Sequence, residues 1–295
     1  MSEEVDKISC CASCGIAGGD DVKLKNCNGC YLVKYCGIEC QRKHRKEHKK
    51  ECKKRAAELR DELLFKQPES SCLGDCPICC LPLPIVGKNA LSRCCSKRIC
   101  CGCHIANVTR EIEEGLERKC PFCRNPRFMH EAHTLKRAEA NDPVALFEMG
   151  EQRADEGDFG NAYECFTKAV EFGNYAEAHF RLAGMYYEGH IEKDEKKHWY
   201  HLEEAAIGGV PEARHNLGAF EFQRGRRDRA VKHMIIAANM GNDNSLEVLK
   251  NAYRKGLVSK NTLASALRGH QAAVDATKSP QREEARVFMS NLKMK

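Results

Sequence analysis

Small and apolar residues in the second half of the chain recur with a period of 32 to 36 residues. In one frame a small residue is followed four positions later by leucine or methionine, starting at Ala145, Ala178, Ala213 and Ser245. In a second frame a glycine closes an alanine-rich segment, at Gly173, Gly209 and Gly241. Repeats of this length bury their apolar faces only against neighbouring repeats. The pattern therefore predicts helix pairs stacked as an all-α solenoid over residues 142–277, with about four repeats.

Two further helices are predicted in the first half by apolar residues at helical spacing. One runs from Lys53 to Gln67, where Pro68 ends it and opens a turn-rich linker. Its apolar positions are Ala56, Leu59 and Leu63. The other lies between Cys103 and Cys120, with apolar positions Ile105, Val108, Ile112 and Leu116. The tail after Lys278 is charged, and we expect it to fray.

Hydropathy also bears on the cellular compartment. The N-terminal residues are charged and lack an apolar leader segment. No stretch approaches the run of about 18 apolar residues that a membrane span needs. We therefore expect a protein of the cytoplasm, the nucleus or both, with no membrane association.

The distribution of cysteine divides the chain in two. Of 20 cysteines, 19 lie between Cys10 and Cys123, and Cys165 alone falls in the rest. In a reducing compartment, clustered cysteines are more often metal ligands than disulfides. The first part is therefore predicted to consist of metal-binding modules.

The net charge of +6 is concentrated in one segment. Residues 41–60 contain ten Lys or Arg and three Glu, which gives 10 − 3 = +7, so the rest of the chain is nearly neutral. No aromatic residues are interleaved with these charges, as they would be in a single-strand nucleic-acid site. We interpret the segment as a solvated helix surface and expect no nucleic-acid binding.

The first cysteine cluster offers eight ligands in two sets of four. They are Cys11, Cys14, Cys27, Cys30, Cys36, Cys40, His48 and Cys52. A C-x2-C turn lets two thiolates reach one tetrahedral ion, and His48 and Cys52 share one helix face at i, i+4. The segment has too few large apolar residues to fold by burial alone, so metal must supply the difference.

These residues resemble the MYND-type zinc finger. The matching elements are the two C-x2-C pairs, Tyr35-Cys36, Cys40-Gln41 and His48-Lys49. The resemblance implies two interleaved zinc sites. One takes Cys11, Cys14, Cys36 and Cys40, and the other takes Cys27, Cys30, His48 and Cys52. Cys10 is then a spare thiol.

The second cluster, between residues 76 and 123, also needs eight ligands for two zinc ions. The assignment is Cys76, Cys79, Cys94, Cys95, Cys100, Cys103, Cys120 and Cys123. Cys100 and Cys103 form the natural C-x2-C pair, which leaves Cys94 and Cys95 to join the last pair. Adjacent cysteines reach one ion only across a sharp turn, so His104 or Cys101 is an alternative ligand. Cys72 lies in the linker and is not expected to bind.

The second cluster resembles a RING finger of the all-cysteine variety, with C-P-I-C at its start and C-P-F-C-R-x-P at its end. RING fingers commonly act as ubiquitin ligases, which have no catalytic nucleophile and hold a ubiquitin-conjugating enzyme charged with ubiquitin. The resemblance implies that Ile78 and Pro121 contact the conjugating enzyme and that Arg124 clamps the thioester-linked ubiquitin.

The array resembles Sel-1-like repeats, which are relatives of the tetratricopeptide repeat. The segment from Leu182 to Tyr186, with Gly189, matches that frame. The resemblance implies a surface that binds peptides or protein partners.

The predicted fold class is two small zinc-stabilised α+β fingers followed by an all-α helical-repeat solenoid. About four zinc ions are expected. The domains are a MYND-like finger at 9–53, a connector at 54–75, a RING-like finger at 76–127, repeats at 142–277 and a charged tail at 278–295. Two functions stay open: a ubiquitin ligase that recruits protein substrates, and a non-enzymatic adaptor whose modules only bind proteins.

Overall fold

A computed structural model describes residues 10–85, 89–126 and 130–293. The chain forms two compact units, one ending at Lys66 and one beginning at Gln67. Several predicted domain boundaries, at residues 9, 127 and 295, lie outside the described residues. The architecture is the predicted one, a cysteine-rich first part with short strands followed by stacked helix pairs.

The first unit is built around its cysteines. Strands β1 (Lys25–Asn26) and β2 (Lys34–Tyr35) pair antiparallel, and helix α1 (Ile38–Leu64) follows. The buried side chains at its centre are Cys11, Cys27, Cys30 and Tyr35. A core of three thiols and one ring buries too little apolar surface to hold a fold by itself.

The second unit opens with another cysteine-rich module. Strands β3 (Asn89–Ser92) and β4 (Lys97–Cys100) form an antiparallel hairpin, and helix α2 (Cys101–Glu113) begins directly after it. The Cys100 thiol caps this helix by accepting from the Cys103 backbone N–H. The predicted helix is present, but it ends before Leu116, since Gly115 takes a left-handed conformation.

Helical hairpins make up the rest of the second unit. After α3 (His130–Glu139), four pairs follow in order. They are α4 (Pro143–Asp155) with α5 (Phe159–Gly173), α6 (Ala176–Glu188) with α7 (Glu195–Ile207), α8 (Pro211–Gln223) with α9 (Arg227–Asn239), and α10 (Asp243–Arg254) with α11 (Lys260–Ala276). This is the predicted solenoid.

Polar caps fix where several of these helices start. Asp142, Asp158, Asp194, Asn242 and Ser259 each accept from a backbone N–H in the first turn of the following helix. Each cap satisfies a donor that the helix leaves unpaired. These capping residues therefore fix the first residue of each of the five helices, both within and between the helix pairs.

Small residues mark the closest helix crossings in the array. The alanines of the repeat frames are fully buried, among them Ala162, Ala178, Ala213 and Ala230. Gly150 on α4 faces the Phe166 ring on α5, and a Cβ at Gly150 would lie 2.5 Å from the ring. The repeating small residues that define the frames thus serve close packing.

Substituting Gly150 by alanine should destabilise the array. The added carbon cannot fit against the buried Phe166 ring, and overpacking of this kind costs about 1–3 kcal/mol. Gly184→Ala is the matched control, because a Cβ there meets nothing within 4 Å among the described residues. It should stabilise the helix by about 0.5–1 kcal/mol. Urea unfolding followed by circular dichroism measures both, and equal effects would contradict the packing described.

The tail prediction is wrong. Residues Pro280–Lys293 form a helix, α12, which packs against α2 of the cysteine-rich module. A Cβ at Gly102 on α2 would lie 3.0 Å from the Arg282 backbone, so the two helices meet closely. The tail is charged, as predicted, but it is helical and packed, with Ala285 buried and Gly102 on α2 leaving room for the close approach.

A pair of histidines packs inside the array, with His179 buried and His201 half-buried. The Nδ1 atoms of His179 and His201 lie 2.9 Å apart, and His179 Nε2 lies 2.9 Å from the Asn174 side-chain oxygen. An amide oxygen only accepts, so His179 donates through Nε2 and its Nδ1 accepts from His201. Burial lowers the pKa of His179; burial, His179 and Lys197 lower the pKa of His201 to about 4. Both rings are therefore neutral in the folded array at pH 7.

Acid should weaken the array through His201. Its folded pKa lies below the unfolded value of about 6.5, so the neutral ring's contribution is present above pH 6.5 and is lost as the pH falls toward 4. We expect wild type to lose about 1 kcal/mol more than His201→Gln between pH 7.5 and 5, allowing for solvent screening. Urea unfolding of both proteins at the two pH values cancels effects common to both. Equal losses would contradict the pairing.

Candidate metal centres

The structure brings the sixteen predicted ligands into four groups of four. The groups are Cys11, Cys14, Cys36 and Cys40; Cys27, Cys30, His48 and Cys52; Cys76, Cys79, Cys100 and Cys103; and Cys94, Cys95, Cys120 and Cys123. Within each group the ligand atoms all lie within 4.8 Å of one another. We refer to them in this order as the first to fourth metal centres.

The first two centres interleave along the chain. In the first centre the Cys36 sulfur lies 3.6 Å from that of Cys14 and 3.5 Å from that of Cys40. In the second centre His48 Nε2 lies 3.2 Å from the Cys30 sulfur. Helix α1 supplies the last ligand of the first centre and two ligands of the second, so it ties both centres to one rigid element.

The third centre joins the start of the second module to its hairpin and helix. Its Cys79 and Cys100 sulfurs lie 3.8 Å apart. The Cys76 sulfur accepts from the Cys100 backbone N–H over 3.5 Å, and the Cys100 sulfur accepts from the Cys103 N–H over 3.4 Å. Backbone donors of this kind stabilise negative charge on sulfur.

The fourth centre contains the adjacent pair that the sequence left open. The Cys94 sulfur lies 3.3 Å from that of Cys123, and the Cys95 sulfur lies 3.6 Å from that of Cys120. Cys94 and Cys95 lie in the turn between β3 and β4, where Ser96 has a left-handed φ of 51°. This is the sharp turn that two adjacent ligands require.

The alternatives for the fourth centre fall elsewhere. His104 and Cys101 lie on α2, and neither belongs to a ligand group among the described residues. Cys10, Cys72, Cys80 and Cys165 also lie outside the four groups. Burial, with Glu177 and Glu212 adding to it, raises the pKa of Cys72 to about 12, so this thiol stays protonated.

The sulfur separations fit zinc. A tetrahedral zinc ion with ligands at about 2.3 Å places its sulfurs about 3.8 Å apart. The sulfur pairs quoted above span 3.3 to 3.8 Å. Thiolates and imidazole are the ligands that zinc prefers, and four protein ligands leave no open position for a substrate. The four centres suit four structural zinc ions, in agreement with the sequence prediction.

The acidities of the thiols show why each centre needs a cation. In every centre one pKa is lowered to about 6, that of Cys11, Cys27, Cys76 and Cys120 respectively. For Cys11 the main cause of the lowered pKa is the Cys36 backbone N–H. For Cys76 burial alone would raise the pKa, but the backbone N–H groups of Cys79 and Cys100 outweigh the effect of burial. In each centre at least one other thiol has a raised pKa, as at Cys52, where burial and Cys27 raise the pKa to about 11. Bound zinc is what allows all the thiols of one centre to be ionised together.

The predicted contacts for a conjugating enzyme lie on the surface of the second module. Ile78, between two ligands of the third centre, is 45% exposed. Pro121 and Arg124, beside the ligands of the fourth centre, are also exposed. All three side chains are available to a partner, and two separate zinc loops hold them.

One residue at the third centre was not predicted from the sequence. Arg282, on α12, is only 6% exposed. Its guanidinium donates to the Cys79 sulfur over 3.2 Å, to the Leu81 carbonyl over 3.1 Å and to the Pro82 carbonyl over 2.7 Å. The side chain of Gln281 accepts from Cys103 over 3.7 Å. No spacing rule connects residues 200 positions apart, so the sequence offered no signal.

Comparisons with solved structures return Sel1-repeat proteins. The chain is 24% identical to a Sel1 repeat protein from Oxalobacter formigenes, covering 57% of this chain and 70% of that chain, with a TM-score of 0.43. It is 26% identical to a protective antigen of uropathogenic Escherichia coli strains that displays an SLR fold, covering 50% of this chain and 33% of that chain, with a TM-score of 0.40.

The chain was also compared with curated proteins and with models of protein families. No curated protein matches the chain. Within the described residues, none of the helices has the length and apolarity needed to cross a membrane. Residues 11–52 match the MYND finger family, and this range runs from the first ligand of the first centre to the last ligand of the second. The chain thus carries a MYND-type zinc finger ahead of a helical-repeat array.

Proposed function

We propose that this protein is a RING-type ubiquitin ligase whose repeat array and MYND finger recruit protein substrates. The observation that carries the proposal is the ligand order of the third and fourth centres. The first and third ligand pairs form one centre, and the second and fourth pairs form the other. The ligand count and the C-x2-C pairs predict this grouping for the cluster that resembles a RING finger.

The surface beside these centres supports a binding role. Ile78 offers an apolar side chain that a partner can desolvate, and such contacts dominate many small interfaces. Arg124 offers an exposed guanidinium that can hold a carbonyl or carboxylate group. The module needs no nucleophile, because holding two reactants together is itself enough to accelerate transfer.

The second candidate function is a non-enzymatic adaptor. Its support is that all four centres are complete sets of protein ligands, which suits metal ions that only stabilise folds. In an adaptor the fingers and the repeats would each bind a protein, and no ubiquitin would be transferred. Both candidates share the protein-binding role of the modules.

A ubiquitylation assay separates the two functions. The zinc-loaded protein is incubated with activating enzyme, ubiquitin and a panel of conjugating enzymes. We expect chains to form, and Ile78→Ala or Arg124→Ala to slow their formation about tenfold or more, as the loss of a central contact does. Ile112→Ala is the matched control, because this isoleucine of the same module is 62% exposed but lies near the end of α2 rather than between or beside two ligands of a zinc loop.

Zinc content and circular dichroism of each variant show that the module is still folded. If no conjugating enzyme in the panel supports chain formation, the adaptor function is favoured. If chains form equally well with all three variants, the assigned surface is wrong.

A further inference from the structure

A groove runs across the first helices of three successive repeats. It is lined by α4, α6 and α8, with some residues from α5 and α7, and has a volume of about 490 Å³. This size lies within the range of ligand sites in proteins. We call it the array groove and define it by Asp155, Gly184, Tyr187, Glu188, His198 and Phe220.

Gly184 is a glycine that the fold does not require. It lies inside helix α6, where glycine costs about 1 kcal/mol relative to alanine. A Cβ at this position would meet nothing within 4 Å among the described residues. By contrast, Gly150 and Gly218 sit against neighbouring side chains and are needed for helix packing. The space above Gly184 lets the backbone of a ligand approach the helix closely.

His198 supplies an unused hydrogen-bond acceptor at the same groove. Its side chain is 6% exposed, and its Nδ1 donates to the Ala183 carbonyl over 2.8 Å. In the neutral ring Nε2 therefore carries a lone pair, and this atom has no hydrogen-bond partner in the described part of the chain. A buried acceptor left without a donor costs free energy, so a donor supplied by a ligand would be stabilised there.

Aromatic rings surround that acceptor. The ring centroids of Tyr187 and Phe220 lie 5.2 and 5.5 Å from that of His198. Tyr187 is 59% exposed although it is a large aromatic residue. Both rings therefore lie beside the imidazole, with the Tyr187 ring accessible to a ligand in the groove. An aliphatic stem or a cation can pack against such rings.

The groove is acidic. Among the described residues, three carboxylates line it, those of Glu151, Asp155 and Glu188, against one guanidinium, that of Arg181. Arg181 is already paired with Glu151. The Glu188 carboxylate lies 3.4 Å from the His190 imidazole but is 59% exposed, and Asp155 is exposed as well. Both carboxylates are therefore accessible to a positively charged ligand, whereas an acidic segment would be repelled.

We propose that the array groove binds a partner segment that places a lysine or arginine beside apolar residues. The segment's backbone passes over Gly184, its apolar side chains pack on Tyr187 and Phe220, and its N–H groups face His198, Asp155 and Glu188. The proposal rests on the protein-binding role proposed for the array and names the chemistry of the partner.

A random dodecamer peptide library tests the proposal with the full-length, zinc-loaded protein as bait. We expect the enriched peptides to contain Lys or Arg next to Leu, Ile or Phe. Synthetic versions should bind Gly184→Leu and Glu188→Lys at least tenfold more weakly than wild type. Gly160→Leu is the matched control, because Gly160 is also helical but lies outside the groove.

Three results would overturn the proposal. They are a library that enriches no peptides, enriched peptides without basic residues, and basic peptides that bind Gly184→Leu as tightly as Gly160→Leu. Urea unfolding of both leucine variants shows whether the array is intact. Tyr187→Ala removes a packing surface without filling the groove, so it should also weaken binding of the enriched peptides. Chain formation by the unaltered protein tests the ligase function separately, so either proposal can fail alone.

Discussion

Removing zinc with a chelator is expected to unfold residues 11–52 and to leave most helices of the array folded. The core of the first unit consists of ligand thiols and Tyr35, so little apolar burial remains once the metal is gone. Structural zinc contributes about 10–16 kcal/mol of apparent binding free energy in finger peptides near pH 7. Without it, the thiols of one centre repel as they ionise and the segment has no other core.

The array should respond differently, because its core is ordinary. The buried side chains at its centre include Phe166, Leu182, Leu202 and Leu249. The helices that carry these four residues contain none of the sixteen ligands. Metal analysis should give about four zinc ions per chain before chelation. Circular dichroism should then show that most of the helical signal survives, while amide protection in residues 11–52 disappears.

Single ligand substitutions sharpen this test. Cys36→Ser should remove about one zinc ion, because Cys36 belongs to the first centre. Cys10→Ser is the control, since Cys10 is an exposed neighbouring thiol outside every group. A zinc content near two in the unaltered protein would mean that one cluster is misassigned. A fully protected finger after chelation would contradict metal-dependent folding.

The metal ligands could be predicted because their information is local. Each C-x2-C pair fixes two ligands through the geometry of one turn, and the repeat period fixes which helices become neighbours. Counting ligands favoured Cys94 and Cys95 for the fourth centre but left His104 and Cys101 as alternatives. What the count could not provide was the left-handed turn at Ser96 that makes this pair possible.

Features that depend on distant residues were missed. The tail helix α12 has apolar residues at helical spacing, Ala285, Phe288, Met289 and Leu292, between its charges. Its own sequence does not show which element those residues pack against, or that Gly102 makes room for it. The acceptor on His198 depends on its contact with Ala183, and the sequence only shows that the two lie 15 positions apart. Local rules identify elements and ligand pairs, whereas three-dimensional packing decides which side chains complete a site.

Substituting Arg282 by alanine should make the third centre lose its zinc faster. A centre of four thiolates around one Zn²⁺ is negatively charged, and the Arg282 guanidinium donates directly to the Cys79 sulfur. It also holds the chain just after Cys79 through the carbonyls of Leu81 and Pro82. Loss of such an outer hydrogen-bond partner lowers metal affinity about 10- to 100-fold.

Arg286→Ala is the control for charge on the same helix. Arg286 is exposed and pairs with Glu283 one turn away, so its removal should leave zinc release unchanged. Arg282→Lys separates charge from geometry, because an ammonium cannot donate to the sulfur and the two carbonyls in a fork. We expect the zinc-release rate of Arg282→Lys to lie between those of wild type and Arg282→Ala.

Zinc transfer to a chromophoric chelator measures the effect. In Arg282→Ala, about one of the four zinc ions should leave at least tenfold faster, because Arg282 contacts a ligand of the third centre only. If all four ions leave faster, the substitution has loosened the protein generally. If none does, α12 only covers the finger, and the guanidinium does not stabilise the metal. A selective change would show that a residue 203 positions away from Cys79 completes the zinc site.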